Sequence, residues 1–579
     1  MKIQMINENL LSELHRKAGG SKRKRMNLDL RNSSDDTSQR MLNALEAGTR
    51  VPIHRHLKTS ETVVCMEGCL DWVFYRELPN EETGGPIHDG ERVFCEEGFK
   101  EVSRFRVCPR EGKFGIQVPI GVWHSVQVYE SSTILEAKDG PYLEEKIIKR
   151  TNEKDKVKKK QTIHLCLAHM SDSGEEMKYI NRAFDEQWVA PLGPNVDGFE
   201  QDLKRFVAAG DKMLQEKEVV SLASGTAAVH LGLIALGVGP GDEVLVQSFT
   251  FCASTNPICY LGATPIMIDS EADTWNMDPA LLEAAIKDRI EKTGKKPKAI
   301  VTVYLYGMPA KIDEIMAIAH KYDIPVLEDA AEAFGSQYKG RMVGTFGDYG
   351  VLSFNGNKMI TTSGGGALIC PNKEAKERVK WYAMQAREAY SYYQHETIGY
   401  NYRMSNVCAG IGRGQMSVAK AHIAHHRHIA DMYEEAFRDV KGITYHKEMA
   451  GLMASNYWLS AIVLDEDLRI KNEELAYQKA IDKAVGGAAG VVHGGGPLHT
   501  DCEPNRNVEA LRINLLAENI ESRPLWKPMH KQPVYHNVPV YESGVSEAIF
   551  RRGLCLPSGP MVTDDDVRRI IDTIKANII

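Results

Sequence analysis

The rhythm of hydrophobic and polar positions changes near residue 160. Before it, short, largely apolar stretches such as Arg40-Met41-Leu42-Asn43-Ala44-Leu45, Thr62-Val63-Val64-Cys65-Met66 and Gly115-Ile116-Gln117-Val118 stand between Gly and Pro punctuation. This predicts an all-β unit over residues 1–143. Residues 144–162 are mostly charged, with no apolar face at helical or strand spacing, and read as a linker; a nucleic-acid tail is the other meaning of such a lysine run. From residue 163, helix-period stretches alternate with compact apolar runs, among them Glu243-Val244-Leu245-Val246, Ala299-Ile300-Val301-Thr302-Val303 and Ile324-Pro325-Val326-Leu327-Glu328-Asp329. Such runs predict a mostly parallel sheet covered on both faces, an α/β large domain over 163–408. Residues 409–579 turn helical and then mixed, which predicts a smaller α+β subdomain with a Gly-rich surface loop at 486–496.

Composition narrows the picture. At 579 residues, 43% hydrophobic and 26% charged, the chain is a multidomain globular protein; collagen, coiled coil and wholesale disorder are excluded. A net charge of -7 from 71 basic and 78 acidic residues offers no field to gather nucleic acid or an anionic membrane, so neither is an expected partner. The first residues are too polar for a secretory signal. The uncharged stretch 219–241 carries Ser221, Ser224, Thr226, His230 and five glycines, and reads as buried loop and helix rather than a membrane span. The expected location is the cytoplasm. Eleven cysteines without paired CxxC spacing suit free thiols in a reducing compartment.

Two sets of residues carry candidate chemistry. The first is Gly48-x5-His54-x-His56-x4-Glu61-x6-Gly68, followed by Pro119-x-Gly121-x2-His124. Alternate strand residues project together, so His54 and His56 share a face. With Glu61 and His124 they make an N3O set suited to a divalent transition metal: Fe, Mn, Ni, Zn or Cu. Chance HxH pairing and simple packing of barrel histidines are the alternatives. These residues, with Gln39 to Leu45, Val122-Trp123-His124 and Lys138-Asp139-Gly140-Pro141-Tyr142, resemble the two cupin motifs in the form found in WbuC-type cupins. Lys113 departs from the Gly that opens the general second motif. The resemblance implies a small β-barrel metalloprotein, with isomerisation, epimerisation and ligand sensing all open.

The second set lies in the C-terminal part. Asp329 ends the apolar run that closes in Leu327-Glu328-Asp329, where α/β sheets bind ligands, and its carboxylate can pair with a cationic ring nitrogen. Lys358 follows Gly350-Val351-Leu352-Ser353-Phe354 and precedes three glycines; a lysine beside a partly buried cofactor can lose its proton and form an imine. Ser224-Gly225-Thr226-Ala227 opens a helical run and offers backbone N–H groups to a phosphate. Taken singly, each has a bland explanation. Together, phosphate cradle, ring-nitrogen acid and imine lysine describe a pyridoxal 5'-phosphate (PLP) site.

These elements, with Trp188 to Pro194, Ser248 to Ser254, Gly399-Tyr400-Asn401-Tyr402-Arg403 and Arg523 to His530, resemble the DegT and StrS type sugar aminotransferases over nearly all of residues 163–579. The run from Asn355 to Gly366 is most similar to the bacillosamine-pathway enzymes, which aminate C4 of UDP-4-keto-6-deoxy-N-acetylglucosamine using glutamate. The resemblance implies PLP fold type I, with Lys358 as Schiff-base lysine and proton shuttle and Asp329 on the pyridine nitrogen. It implies Phe251 stacked on the ring, Thr226, Ala227 and Ser353 at the phosphate, and Glu332 near the cofactor hydroxyl. It further implies a homodimer with shared active sites, in which Asn401 of one chain meets the cofactor phosphate of the other. Amination of another keto sugar nucleotide, of perosamine or legionaminic-acid type, and a non-catalytic, sugar-responsive PLP-binding regulator are the alternatives.

Overall fold

The computed structural model of the protein describes residues 5–30, 38–49, 51–56, 59–77, 87–89, 92–95, 99–139, 161–208, 211, 214–473 and 502–579. The chain divides into two compact units, Met1–Val157 and Lys158–Ile579. The expected linker, apart from its last two residues, and the Gly-rich patch lie outside the described residues.

The N-terminal unit is β-rich, as its pattern predicts, but its described strands form two antiparallel sheets and no closed barrel. One has the spatial order Arg25–Asp29, Ser38–Leu45, Ser132–Asp139, Glu61–Glu67, Gly115–Val118; the other Ile87–Asp89, Arg92–Cys95, Ile53–His56, Trp123–Val128, Leu70–Glu77, Phe99–Val107. Val63, Val118 and Ile134 of the first share one apolar cluster with Trp72, Phe74 and Val126 of the second, so the sheets face each other across a common core. The all-β expectation needs a correction: Glu8–Gly19 is a helix, capped by Asn7, which accepts from the Leu10 N–H at 3.0 Å. It buries Leu11, Leu14 and Ala18, spaced i, i+3, i+7, against Leu42 and Ala44. The expectation of free thiols holds for eight of the described cysteines and is corrected at Cys69 and Cys108, which are joined in a disulfide.

The C-terminal unit has the predicted α/β architecture. Its eight-stranded sheet runs Glu218–Leu222, Gly366–Cys370, Tyr349–Ser353, Val326–Asp329, Ala299–Val303, Glu243–Gln247, Thr264–Ile268, Val540–Tyr541. The five neighbouring pairs from Tyr349–Ser353 to Val540–Tyr541 are parallel, and the first two pairs are antiparallel. Ala299–Val303 is buried at every position, as a strand covered on both faces must be. A four-stranded antiparallel sheet, Ile443–Tyr445, Ser460–Leu464, Gly553–Leu556 and Arg523–Pro524, carries the smaller α+β part. That part is not self-contained, since Val540–Tyr541 pairs with Thr264–Ile268 and extends the large sheet. Among the described residues, no helix is long and apolar enough to cross a membrane.

Candidate active site and candidate metal centre

Strand alternation separates two neighbouring acids of the C-terminal unit. Glu328 is buried and accepts from the Gly344 N–H at 2.8 Å and from Tyr304 and Gly347, which fixes loops behind the sheet. Asp329, the next residue, points the other way. Its carboxylate accepts from Ser254 Oγ at 2.7 Å and from the Ala331 N–H at 3.1 Å, and Ser254 Oγ in turn meets Thr250 Oγ1 at 2.9 Å. Burial pushes the Asp329 carboxyl up, against the lowering effect of those hydrogen bonds and of the Lys358 charge. A buried acid held by neutral donors fits a ligand that brings its own cation, as a protonated ring nitrogen does.

Lys358 sits on a turn stabilised from its own backbone, with its N–H donated to the Asn355 carbonyl at 2.9 Å. Its Nζ lies 3.5 Å from Glu332 Oε1 and 3.9 Å from the centre of the Trp458 ring. The Trp458 Nε1–H donates to the Asn357 carbonyl at 2.6 Å, and the Cys166 thiol donates to the same oxygen at 3.2 Å. Lysine and turn are therefore clamped from two distant segments. Glu332 is aimed by its second oxygen, which accepts from the Tyr306 N–H at 2.7 Å. Tyr306 itself has φ 55°, a left-handed conformation that costs a non-glycine residue energy and is kept only where the surroundings over-determine it. Burial pushes the Glu332 carboxyl up, with Lys358 and the Tyr306 N–H pulling it down.

The helix start expected to cradle a phosphate is present, but the Ala227 N–H is not free to serve it. Helix Gly225–Ala235 is capped by Ser224, whose Oγ accepts from the Ala227 N–H at 3.0 Å. That bond occupies the Ala227 N–H, so the cap leaves Gly225 and Thr226 to offer theirs. Ser353 closes the cradle: a Cβ at Gly225 would stand 3.0 Å from Ser353 Cβ and 3.2 Å from its Oγ. Phe251 is half exposed, with its ring 5.3 Å from Trp526. Asn401 is exposed, while Tyr400, Tyr402 and Arg403 pack within their own chain; Tyr400 lies on His230 at 4.8 Å, and Arg403 donates to Glu200 at 2.7 Å.

The histidine set converges in the N-terminal unit. His54 and His124 face each other across paired strands, and the ligand atoms of His54, His56, Glu61 and His124 all lie within 4.8 Å of one another. His54 Nδ1–H donates to the Pro52 carbonyl at 2.8 Å and His124 Nδ1–H to the Val122 carbonyl at 2.9 Å, which in the neutral rings leaves the Nε2 lone pairs facing the cluster. His124 Nε2 is buried without a hydrogen-bond partner, an orphaned donor atom of the kind a metal satisfies. Burial alone would raise the Glu61 carboxyl, yet the Lys138 ammonium, the hydrogen bond from His56 and the neighbouring His124 ring hold it well below the usual carboxylate range. The His56 Nε2–H, 2.9 Å from Glu61 Oε2, must give up its proton for that nitrogen to ligate.

Comparison with known proteins bears on both units. Residues 170–493 and 495–575 match the DegT/DnrJ/EryC1/StrS aminotransferase family. The chain belongs to this family. Residues 6–83 match a family described as a domain of unknown function, DUF6016. The Bacillus subtilis protein EpsN, named as a pyridoxal phosphate-dependent aminotransferase, is 41% identical over 71% of this chain and 95% of its own. The GDP-perosamine synthase of Escherichia coli O157:H7 is 34% identical over 70% of this chain and 95% of its own. A crystal structure of a DegT DnrJ EryC1 StrS aminotransferase from Brucella abortus matches with a TM-score of 0.59 at 26% identity, over 70% of this chain and 95% of that one.

As a PLP-dependent sugar aminotransferase of the DegT family, the chain brings Asp329, Glu332 and Lys358 together as read from the sequence. Sequence reasoning passed over Ser254, Tyr306 and Trp458. Ser254 was within reach, because it closes the quoted run Ser248 to Ser254. Tyr306 and Trp458 act through a strained backbone and a contact 100 residues away, for which no local pattern exists.

Proposed function

We propose that this DegT-family enzyme moves the amino group of glutamate to C4 of a UDP-4-keto-6-deoxy-N-acetyl-hexosamine, a step in making nucleotide sugars for surface glycans in the cytoplasm. The observation that carries amino transfer is Lys358 Nζ, held by Glu332 and Trp458 on the side of the sheet where Asp329 ends its strand. PLP, when bound, supplies the electron sink for the carbanion. Asp329 keeps the ring nitrogen protonated. Gly225, Thr226 and Ser353 bind the phosphate, with Ala227 supporting them through the cap. Phe251, beside Trp526, covers the ring and keeps water away. Lys358 Nζ takes and returns the proton at sugar C4.

The run Asn355 to Gly366 supports the C4 UDP-sugar reading. The likeness to GDP-perosamine synthases supports a second reading, amination of a perosamine-type precursor. A panel of UDP-, dTDP- and GDP-linked 4-keto sugars with glutamate decides between them. Turnover confined to a GDP sugar sinks the first, and a cofactor absorbance unchanged by glutamate sinks both in favour of a non-catalytic binder.

The dimer belongs to the same proposal. Trp188, Val189, Leu192, Tyr393 and Ile398 are 40–83% exposed, apolar surface that a second copy would cover, and Asn401 is exposed as a residue serving a neighbour's cofactor phosphate must be. Mixing Lys358→Ala with Asn401→Ala chains forms one hybrid site with both residues intact, so activity above either parent is the expected result. We also read the N-terminal unit as a cupin-type domain holding about one divalent transition metal per chain on His54, His56, Glu61 and His124. The converging Nε2 atoms and the orphaned His124 nitrogen support this, and elemental analysis of the purified protein tests it.

A further inference from the structure

Lys138 stands beside the candidate metal centre. It is 5% exposed, and a lysine is buried to that degree only when its charge is met. It lies directly across from Glu61 in the pairing of Ser132–Asp139 with Glu61–Glu67. Its Nζ is 3.6 Å from Glu61 Oε2 and forms an ion pair with Glu136, whose other oxygen accepts from Asn43 Nδ2 at 3.0 Å. The same Glu61 oxygen has His56 Nε2 at 2.9 Å and His124 Nε2 at 3.5 Å. One carboxylate oxygen is thus shared between a buried ammonium and two of the candidate ligands.

Charge turns this sharing into a constraint. Glu61 and Glu136 bring two negative charges and Lys138 one positive, while imidazoles that ligate are neutral. A dication would leave the cluster with one net positive charge. It would also set the dication and the ammonium against each other around one oxygen, in an interior that screens poorly. An anion touching both removes the conflict: it fills a coordination position that the N3O set leaves open, and it accepts a hydrogen bond from an ammonium N–H not used by Glu136. Oxygen is the donor that suits both an ammonium and such a metal.

We propose that the N-terminal centre binds its metal together with a small monoanionic oxygen donor of the carboxylate class, held between the metal and Lys138 Nζ, and that the two bind cooperatively. This rests on the metal reading above. The test uses the full-length chain with Co²⁺ as a visible probe and formate as the anion. Formate is expected to tighten Co²⁺ binding by about tenfold or more, and Co²⁺ to tighten formate binding by the same factor, as linkage requires. Lys138→Met is expected to bind Co²⁺ more tightly than the wild type without formate and to lose the formate effect. Because that variant leaves Glu136 without its cation, Lys138→Met/Glu136→Gln repeats the measurement with no unpaired charge, and neutral formamide replaces formate as the control. Co²⁺ binding that formate leaves unchanged, or a formate effect undiminished in both variants, overturns the inference while the metal site stands. A wild type that binds no Co²⁺ with or without formate overturns the metal reading and the inference with it.

Discussion

The two candidate sites are assembled from opposite kinds of parts. In the N-terminal unit, His54, His56, Glu61, His124 and Lys138 all stand on strands of two facing sheets. In the C-terminal unit, Asp329 ends a strand, Lys358 lies on a turn, Thr226 opens a helix, and the groups that clamp them, Ser254, Tyr306 and Trp458, come from loops or short turns. A strand fixes the direction of every second side chain, so a strand-built site is written in local spacing. A site gathered at loop ends is written in the fold, and its second layer of support is scattered along the chain.

The comparison breaks most sharply at Lys358. Lys358→Ala should lower amino transfer by about 10⁴-fold or more and abolish the cofactor's visible absorbance, because one nitrogen carries both roles. Full turnover in the variant would remove the loop-built site from the chemistry. Asp329→Asn should retain cofactor through the phosphate cradle but lose about 10³-fold in rate, a loss of the size expected when a preorganised charge partner is removed. Rates near wild type would show that Ser254 and Asp329 serve only the fold.

The strand-built site predicts the converse. His54→Ala/His56→Ala should drop bound metal from about one per chain to none, while the cofactor absorbance of the C-terminal unit is unchanged. Equal metal content in the variant and the wild type would place the metal elsewhere.

Acid stability sharpens the contrast. Burial pushes His426 and His446 of the C-terminal unit down to about 3 from 6.5, although the His426 ring donates to the Tyr457 carbonyl at 3.0 Å. Their folded values lie below the unfolded one, so the unfolded chain takes up protons first. Their contribution is complete above pH 6.5 and is lost as pH falls towards 3, at up to about 1.4 kcal/mol per pH unit for each ring. Glu61 in the N-terminal unit is also lowered, but from 4.5, so its contribution is lost only below that pH. Scanning calorimetry between pH 7 and 4 should therefore show a shallower pH dependence for His426→Asn than for the wild type. Identical slopes would mean that His426 is not held neutral. The smallest effect is expected from Ser224→Ala, about 1 kcal/mol of stability with a modest loss of cofactor affinity, read by chemical denaturation and cofactor titration.

Much of this was legible along the chain. The apolar runs gave the large sheet because a strand covered on both faces has no polar alternation to hide it. His54-x-His56 gave a shared face because the strand period is two, and the structure buries both rings. The helix Glu8–Gly19 was missed although Leu11, Leu14 and Ala18 keep helical spacing, since a single short helix beside many strands is easily absorbed into a β reading. The Cys69–Cys108 bond was missed because two cysteines 39 residues apart meet only when their strands are folded.

The sequence by itself determined the class of each unit, the convergence of the candidate set His54, His56, Glu61 and His124, and the order of helix start, acid and lysine at the candidate active site. These depend on short-range periodicity and on chemistry carried by single side chains. Tertiary structure alone decided what surrounds them: Trp458 under Lys358, Tyr306 bent into a left-handed backbone to aim Glu332, Val540–Tyr541 added to the large sheet, and Lys138 brought to the oxygen of Glu61. Those contacts join residues tens to hundreds of positions apart, and whether such a pair meets is set by strand order and burial, which no local pattern records.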